Sequence, residues 1–180
     1  MKLLPFLLLV TATGLFAQTA QLAPLPPDGF VTLAQVISDF SSQPEAATQK
    51  YNGQRILVYG RVGQIAQSQD SAGNPLQVFL QLANNNTPDV KCTFTLADLP
   101  GWTQDSTIQI ADDGSQASVS RRGRDGNVKD ETAYVTVGQN IGVHGTFDSF
   151  IAGDVVLKDC KKVETEKLMK ALKEHGIATE

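Results

Sequence analysis

A mainly β fold built around a small closed barrel is predicted by three features of this 180-residue sequence. Alternating apolar residues recur in five separate runs, the mark of half-buried strands. Two of these runs carry nearly the same motif: GQRILVYGRV at Gly53–Val62 and GQNIGVHGTF at Gly138–Phe147 agree at five of ten positions. Both place glycine inside the strand, where it marks a bulge, a bend or a close approach of other chain. A strand shared by both halves of a barrel must coil sharply, and bare positions permit it.

Residues 1–17 read as a signal peptide: Lys2, the apolar run Leu3–Val10, and small residues ending at Leu15-Phe16-Ala17 before polar Gln18. A membrane anchor is the alternative, but a span needs about 20 apolar residues, and Pro5, Thr11, Thr13 and Gly14 interrupt this one. No cysteine lies near the cut to accept a lipid. The expectation is an exported chain, periplasmic or extracellular, with no transmembrane segment once the leader is removed. At 41% hydrophobic residues it can build a real core. It carries 15 basic and 19 acidic residues, a formal charge of -4, and loss of Lys2 lowers it by one more. That sign disfavours nucleic acid held by bulk electrostatics, which calls for dense Lys and Arg.

Residues 18–29, with Pro24, Pro26 and Pro27, form a linker that resists helix and strand. The barrel domain then spans 30–163. It opens with Leu33, Val36, Ile37 and Phe40 at helical spacing behind a Thr32–Gln35 capping box. A second box, Ser42 with Glu45, and Pro44 at the first turn predict a short helix to about Lys50. In the first strand Ile56, Val58, Gly60 and Val62 share a face, while Ile65 falls on the wrong parity, so a bulge is expected near Gly63. Leu76, Val78, Leu80 and Leu82 form the second strand after the turn Ser71–Pro75; Val90, Cys92, Phe94 and Leu96 form the third after the polar loop Asn84–Asp89. An insertion, 101–137, holds a hairpin turning at Asp113-Gly114 and then the charged run RRGRDGNVKDE, read as a mobile loop. The second glycine motif is the fourth strand. Val155 to about Val163 is the fifth, in which Cys160 needs a bulge to turn towards Cys92. Residues 164–180 are a C-terminal helix and tail, Glu164–His175, stopped by Gly176.

Five strands with an excursion between the third and fourth are the outline of an OB-fold, a Greek-key barrel whose face often binds oligonucleotides or oligosaccharides. More closely, Leu33–Cys160 resembles the tRNA_anti-like family of exported bacterial OB-fold proteins. The residues that carry the likeness are Ala47, Tyr51 and Gly53; Ile56, Val58, Gly60, Val62 and Ile65; Cys92; Gly138, Gln139, Ile141, Val143, Gly145 and Phe147; then Leu157, Asp159 and Cys160. Two departures are Ser41-Ser42-Gln43, where the family often has asparagine, and the long charged insertion. The family name reflects likeness to anticodon-binding domains and implies no tRNA contact.

Outward residues of the first three strands, Tyr59, Arg61, Gln77, Phe79, Gln81, Lys91 and Thr93, are the candidate ligand surface. Aromatics there stack on bases or sugar rings and cations meet anionic groups; the competing role for Tyr59 and Phe79 is packing beneath a helix or against each other. Arg121, Arg122 and Arg124, with Lys129, form the one basic cluster in the sequence, a clamp for phosphate or carboxylate if it is not simply a solvated loop beside Asp125, Asp130 and Glu131. Cys92 and Cys160, an even count in an exported chain, point to one disulfide, with two buried thiols as the alternative. No metal or cofactor is predicted: there is no CxxC, His144 and His175 stand far apart, and Asp125, Asn127 and Asp130 miss the spacing of a calcium loop. His144 and Asp148 have no matched nucleophile. The leading expectation is therefore a non-enzymatic exported binding module whose partner is an unknown envelope polymer or protein. Single-stranded nucleic-acid binding is the second reading. A calcium-dependent nuclease using Arg61 with Asp112 or Asp113 is the third, by fold analogy alone. The sequon Asn85-Asn86-Thr87 is taken as chance.

Overall fold

The computed structural model describes residues 22–67, 76–82, 89–96, 99 and 101–178. The proposed leader, the 71–75 turn, most of the 84–89 loop and the sequon lie outside the described residues. The elements run β1 (Phe30–Thr32), α1 (Leu33–Ser42), α2 (Pro44–Tyr51), β2 (Arg55–Gln67), β3 (Leu76–Gln81), β4 (Val90–Phe94), β5 (Ser106–Ile110), β6 (Gln116–Arg122), β7 (Val128–Thr136), β8 (Asn140–Ile151), β9 (Asp154–Lys162) and α3 (Thr165–Glu174). Among the described residues no helix is long and apolar enough to cross a membrane.

Strands β2, β3, β4, β9 and β8 hydrogen-bond in that order, and β8 returns to β2, closing a five-stranded barrel. The closure depends on β2 serving two neighbours: Arg55–Arg61 pair with β8, and Arg61–Gln67 pair with β3. Just inside the β3-paired half the register slips, from Val62 opposite Leu80 to Gln64 opposite Phe79. This is the bulge expected at Gly63, and it returns Ile65 to the interior, where it is buried. Strand β1, too short to show a period, was not foreseen; it lies parallel to β2 along Leu57–Tyr59.

The two repeated motifs pair with one another about a local twofold axis. Val58 faces Val143, Ile56 faces Gly145, and Gly60 faces Ile141, so each motif's glycine sits across from the other's isoleucine. The ends match as well: the Gln54 carbonyl accepts from Phe147 N–H at 3.0 Å, and the Gln139 carbonyl accepts from Val62 N–H at 2.8 Å. The glycines within the strands also supply space. A Cβ on Gly60 would lie 2.9 Å from Leu33 Cδ2 of α1, and one on Gly145 would lie 2.9 Å from Cys160 Sγ and 3.0 Å from Leu157 Cβ.

The helical lead-in follows from its caps. Thr32 Oγ1 accepts from Gln35 N–H at 3.1 Å, and Pro44 occupies the first turn of α2. The second capping box does not form, because α1 runs on to Ser42, whose hydroxyl donates to the Ser38 carbonyl at 2.7 Å; Gln43 caps α2 without a side-chain bond. Helix α1 buries Leu33, Val36, Ile37 and Phe40. The Phe40 ring stacks with Tyr51, Phe147 and Phe150 at centroid distances of 5.5, 5.5 and 4.8 Å, joining both helices to β8.

The insertion is more ordered than the sequence suggests. Strands β5, β6 and β7 form a separate antiparallel sheet, in which the charged run read as a mobile loop is the β6–β7 hairpin. Its outer half is exposed and polar on both faces, so no alternation betrays it. Its inner half, Ala117, Val119, Tyr134 and Val135, is buried in the main core, with Tyr134 set edge-on to Phe94 at 5.7 Å. The expected turn at Asp113-Gly114 forms, with Gly114 at φ +69°.

In β9 the strand parity breaks at Asp159, which adopts φ +51°, and Cys160 turns inward with Leu157. Helix α3 ends as predicted. Gly176 has φ +67°, its N–H bonds Lys173 O, and Ile177 N–H bonds Leu172 O, the Schellman pattern. Leu168 and Leu172 pack on Phe30 and Leu57 in a satellite cluster outside the barrel, and Gly142 leaves Leu168 its room.

Candidate functional site

The pleat of β3 and β4 sorts their residues cleanly. Leu76, Val78, Leu80, Val90, Cys92 and Phe94 point into the barrel, leaving Gln77, Phe79, Gln81, Lys91 and Thr93 half-exposed outside. The bulge in β2 brings Gln64 and Ala66 onto this same outer face. Cross-strand registers then build two rows: Gln64, Phe79, Lys91 and Val156 in one, Ala66, Gln77 and Thr93 in the next. Lys91 Nζ lies 5.9 Å from the centre of the Phe79 ring, a cation over an aromatic face. Gln64 was left out of the sequence-based candidates, although the bulge expected at Gly63 that turns Ile65 inward also turns Gln64 outward.

Arg61 and Gln81 stand opposite one another at the edge of this face. They line a cleft of about 180 Å³ with Gly63, Leu82 and Gly138. Gln81 Nε2 donates to Asp89 Oδ2 at 2.8 Å, and the Arg61 guanidinium lies along the bare Gly138, which has φ +88°.

Tyr59 departs from the other candidates. It packs against the satellite cluster of Phe30, Leu57, Leu168 and Leu172, on the part of β2 flanked by β1 and α3. The arginine cluster belongs to a different sheet. Arg121 Nη2 pairs with Asp130 Oδ2 at 2.6 Å, Arg122 Nη1 donates to the Gly126 carbonyl at 3.2 Å, and Arg124 is exposed in the β6–β7 turn.

Asp112 and Asp113 lie at the β5–β6 turn, where hydrogen bonds from Ser115 hold the Asp113 carboxyl below its ordinary range. Among the described residues, no three His, Cys, Asp or Glu side chains gather as a metal-binding group. His144 is half-buried, and its imidazole is held below its usual value by burial and by the charge of Arg55. Asp148 is paired with Lys158 at 2.7 Å. Cys92 and Cys160 are both fully buried and unbonded in the structure; with both as thiols, the hydrogen bond with Cys160, then burial, pushes the Cys92 thiol well above its ordinary range.

An OB barrel with these strand motifs matches the tRNA_anti-like family model over residues 13–161. The chain belongs to the tRNA_anti-like family. This member is also similar to a solved structure from Klebsiella pneumoniae subsp. pneumoniae MGH 78578, named a "putative nucleic acid-binding lipoprotein". That likeness has 18% identity and a TM-score of 0.45, covering 75% of this chain and 91% of the other. No curated protein matches the chain at significance. In this tRNA_anti-like chain the long insertion forms its own three-stranded sheet and contributes to the barrel core.

Proposed function

We propose that the protein is an exported, non-catalytic binding module that lays an extended glycan chain of the cell envelope across the outer face of β2, β3 and β4. The observation that carries this reading is the half-exposed Phe79 ring, set among the amides of Gln64, Gln77 and Gln81 and the hydroxyl of Thr93. A sugar ring stacks on an aromatic face, and amide and hydroxyl groups both donate to and accept from its hydroxyls. Among the described residues of the outer face of β2, β3 and β4, Lys91 and Arg61 are the cations, in keeping with the acidic balance of the chain. In this reading Asp148 serves as the ion-pair partner of Lys158 across β8 and β9.

A second reading, single-stranded nucleic acid, is favoured by the cation above the ring, since bases stack on aromatics beside Lys or Arg. Titration with envelope oligosaccharides and with single-stranded oligonucleotides, each at low and high salt, separates the two. The glycan reading expects saturable binding that changes little with salt and is weakened in Phe79→Ala. Oligonucleotide binding that falls steeply with salt, alongside no response to glycans, overturns it. Digestion assays with added calcium test the nuclease alternative, which requires cleavage that disappears in Asp112→Ala or Asp113→Ala.

A further inference from the structure

Three local features converge on the two sulfur atoms. Asp159 adopts a left-handed backbone that non-glycine residues take only at a cost, and by doing so it turns Cys160 out of its natural parity into the barrel. Gly145, on the neighbouring strand, is bare where any side chain would crowd the Cys160 sulfur. Cys92 reaches the same interior from β4, the strand that pairs with β9, where the register shifts between Cys92 opposite Leu157 and Phe94 opposite Cys160.

We propose that Cys92 and Cys160 form a disulfide across the β4–β9 pair, made while the chain folds and then sealed inside the closed barrel. The oxidant is a disulfide compound, either a dithiol oxidase or a small-molecule disulfide. In the open chain the Cys92 thiolate attacks one sulfur of the oxidant, giving a mixed disulfide and releasing one thiolate. The Cys160 thiolate then attacks the Cys92 sulfur, the new bond forms, and the oxidant's second thiolate leaves. Two cysteine thiols give up two electrons and two protons, and the oxidant becomes two thiols.

The timing follows from burial. Both cysteines are wholly inaccessible in the closed barrel. The buried Cys92 thiol also resists ionisation, so the folded dithiol offers almost no nucleophile. Redox state is therefore set before closure and kept afterwards.

The test uses the wild-type chain. Reduced, unfolded protein is refolded with oxidised glutathione and its mass measured after denaturation with an alkylating reagent. The expected product is lighter by two hydrogens, takes up no reagent, and yields a Cys92–Cys160 linked peptide. Two alkylated cysteines, or a glutathione adduct on either one, overturn the disulfide. In parallel, protein folded in the reduced state is exposed to the same glutathione disulfide without denaturant. Oxidation is expected to be slower than in the unfolded chain by on the order of a hundredfold or more, because the reagent must wait for the barrel to open. Comparable rates overturn the sealing step.

Discussion

Val58 stands opposite Val143 where β2 meets β8, and the two are corresponding residues of the repeated motif. The repeat is thus a self-complementary seam: small residue against large, on both sides of one axis. That arrangement closes the barrel with a single interface used twice.

Two glycines of the motifs should fail for different reasons. Gly145→Ala meets Cys160 Sγ and Leu157 Cβ at 3.0 Å or less and is expected to cost about 1–3 kcal/mol by overpacking. Gly53→Ala has open space but φ +65°, and is expected to cost about 1–2 kcal/mol through its left-handed backbone alone. Urea midpoints measure both, and a Gly53→Asn variant should recover part of the second loss but an equivalent change at Gly145 none of the first.

Asp39 is almost wholly buried and accepts from Gln35 Nε2 at 2.6 Å, Lys50 Nζ at 2.7 Å and Tyr51 Oη at 2.8 Å. Asp39→Ala strands a lysine and a phenol, and a loss of about 3–5 kcal/mol is expected in chemical denaturation. Burial, then the hydrogen bond to Asp39 and its charge, pushes the Tyr51 hydroxyl well above its ordinary value. The unfolded chain therefore releases this proton at a lower pH than the folded one. Stability should be fully present below about pH 10 and fall above it. Tyr51→Phe should flatten that alkaline limb.

Helix α3 rests on a cluster separate from the barrel core, so it should open first. Leu172→Ala is expected to cost about 2–3 kcal/mol, with amide exchange of residues 165–174 rising while barrel amides stay protected. Asp28 supplies an acid-sensitive contact. Its carboxylate bonds His175 Nε2 at 2.7 Å, and that bond lowers its pKa. The contribution is present above the usual aspartate range and lost as pH falls through the lowered value, so exchange in α3 should rise first on acidification.

At the proposed ligand face, Phe79→Ala should weaken binding by more than about 1 kcal/mol, as removal of a central aromatic anchor does, with the thermal midpoint little changed. Arg121→Ala breaks an exposed ion pair with Asp130 on the other sheet. It should move stability by no more than about 0.5 kcal/mol and leave ligand affinity as it was, whereas a large affinity loss would shift the site to the β6–β7 hairpin.

The oxidised protein should be more stable than the dithiol form by about 4 kcal/mol on the chain-entropy model, because the bond would close a loop that holds the whole insertion. Denaturation with and without reductant gives the difference, and equal midpoints would show that strain in the closed bond cancels the gain.

Periodicity and bare glycines sufficed to place the five barrel strands, the bulge at Gly63, the Thr32 cap and the Gly176 stop, while the break before Cys160, needed only if that residue faces inward, was decided by the structure. Each of the former is written in a few neighbouring residues, through a side chain's parity, a backbone angle or a local hydrogen bond. Pairing across the chain decided the rest. Whether RRGRDGNVKDE is loop or hairpin depends on Tyr134 and Val135 finding the core, and whether Tyr59 meets ligand or packs depends on where α3 docks. The bulge at Gly63 already implies that Gln64 faces outward, but its place beside Phe79 is fixed by the partner strand's register. Those outcomes are set by burial against residues distant in sequence, and no local pattern records such a contact before the barrel has closed.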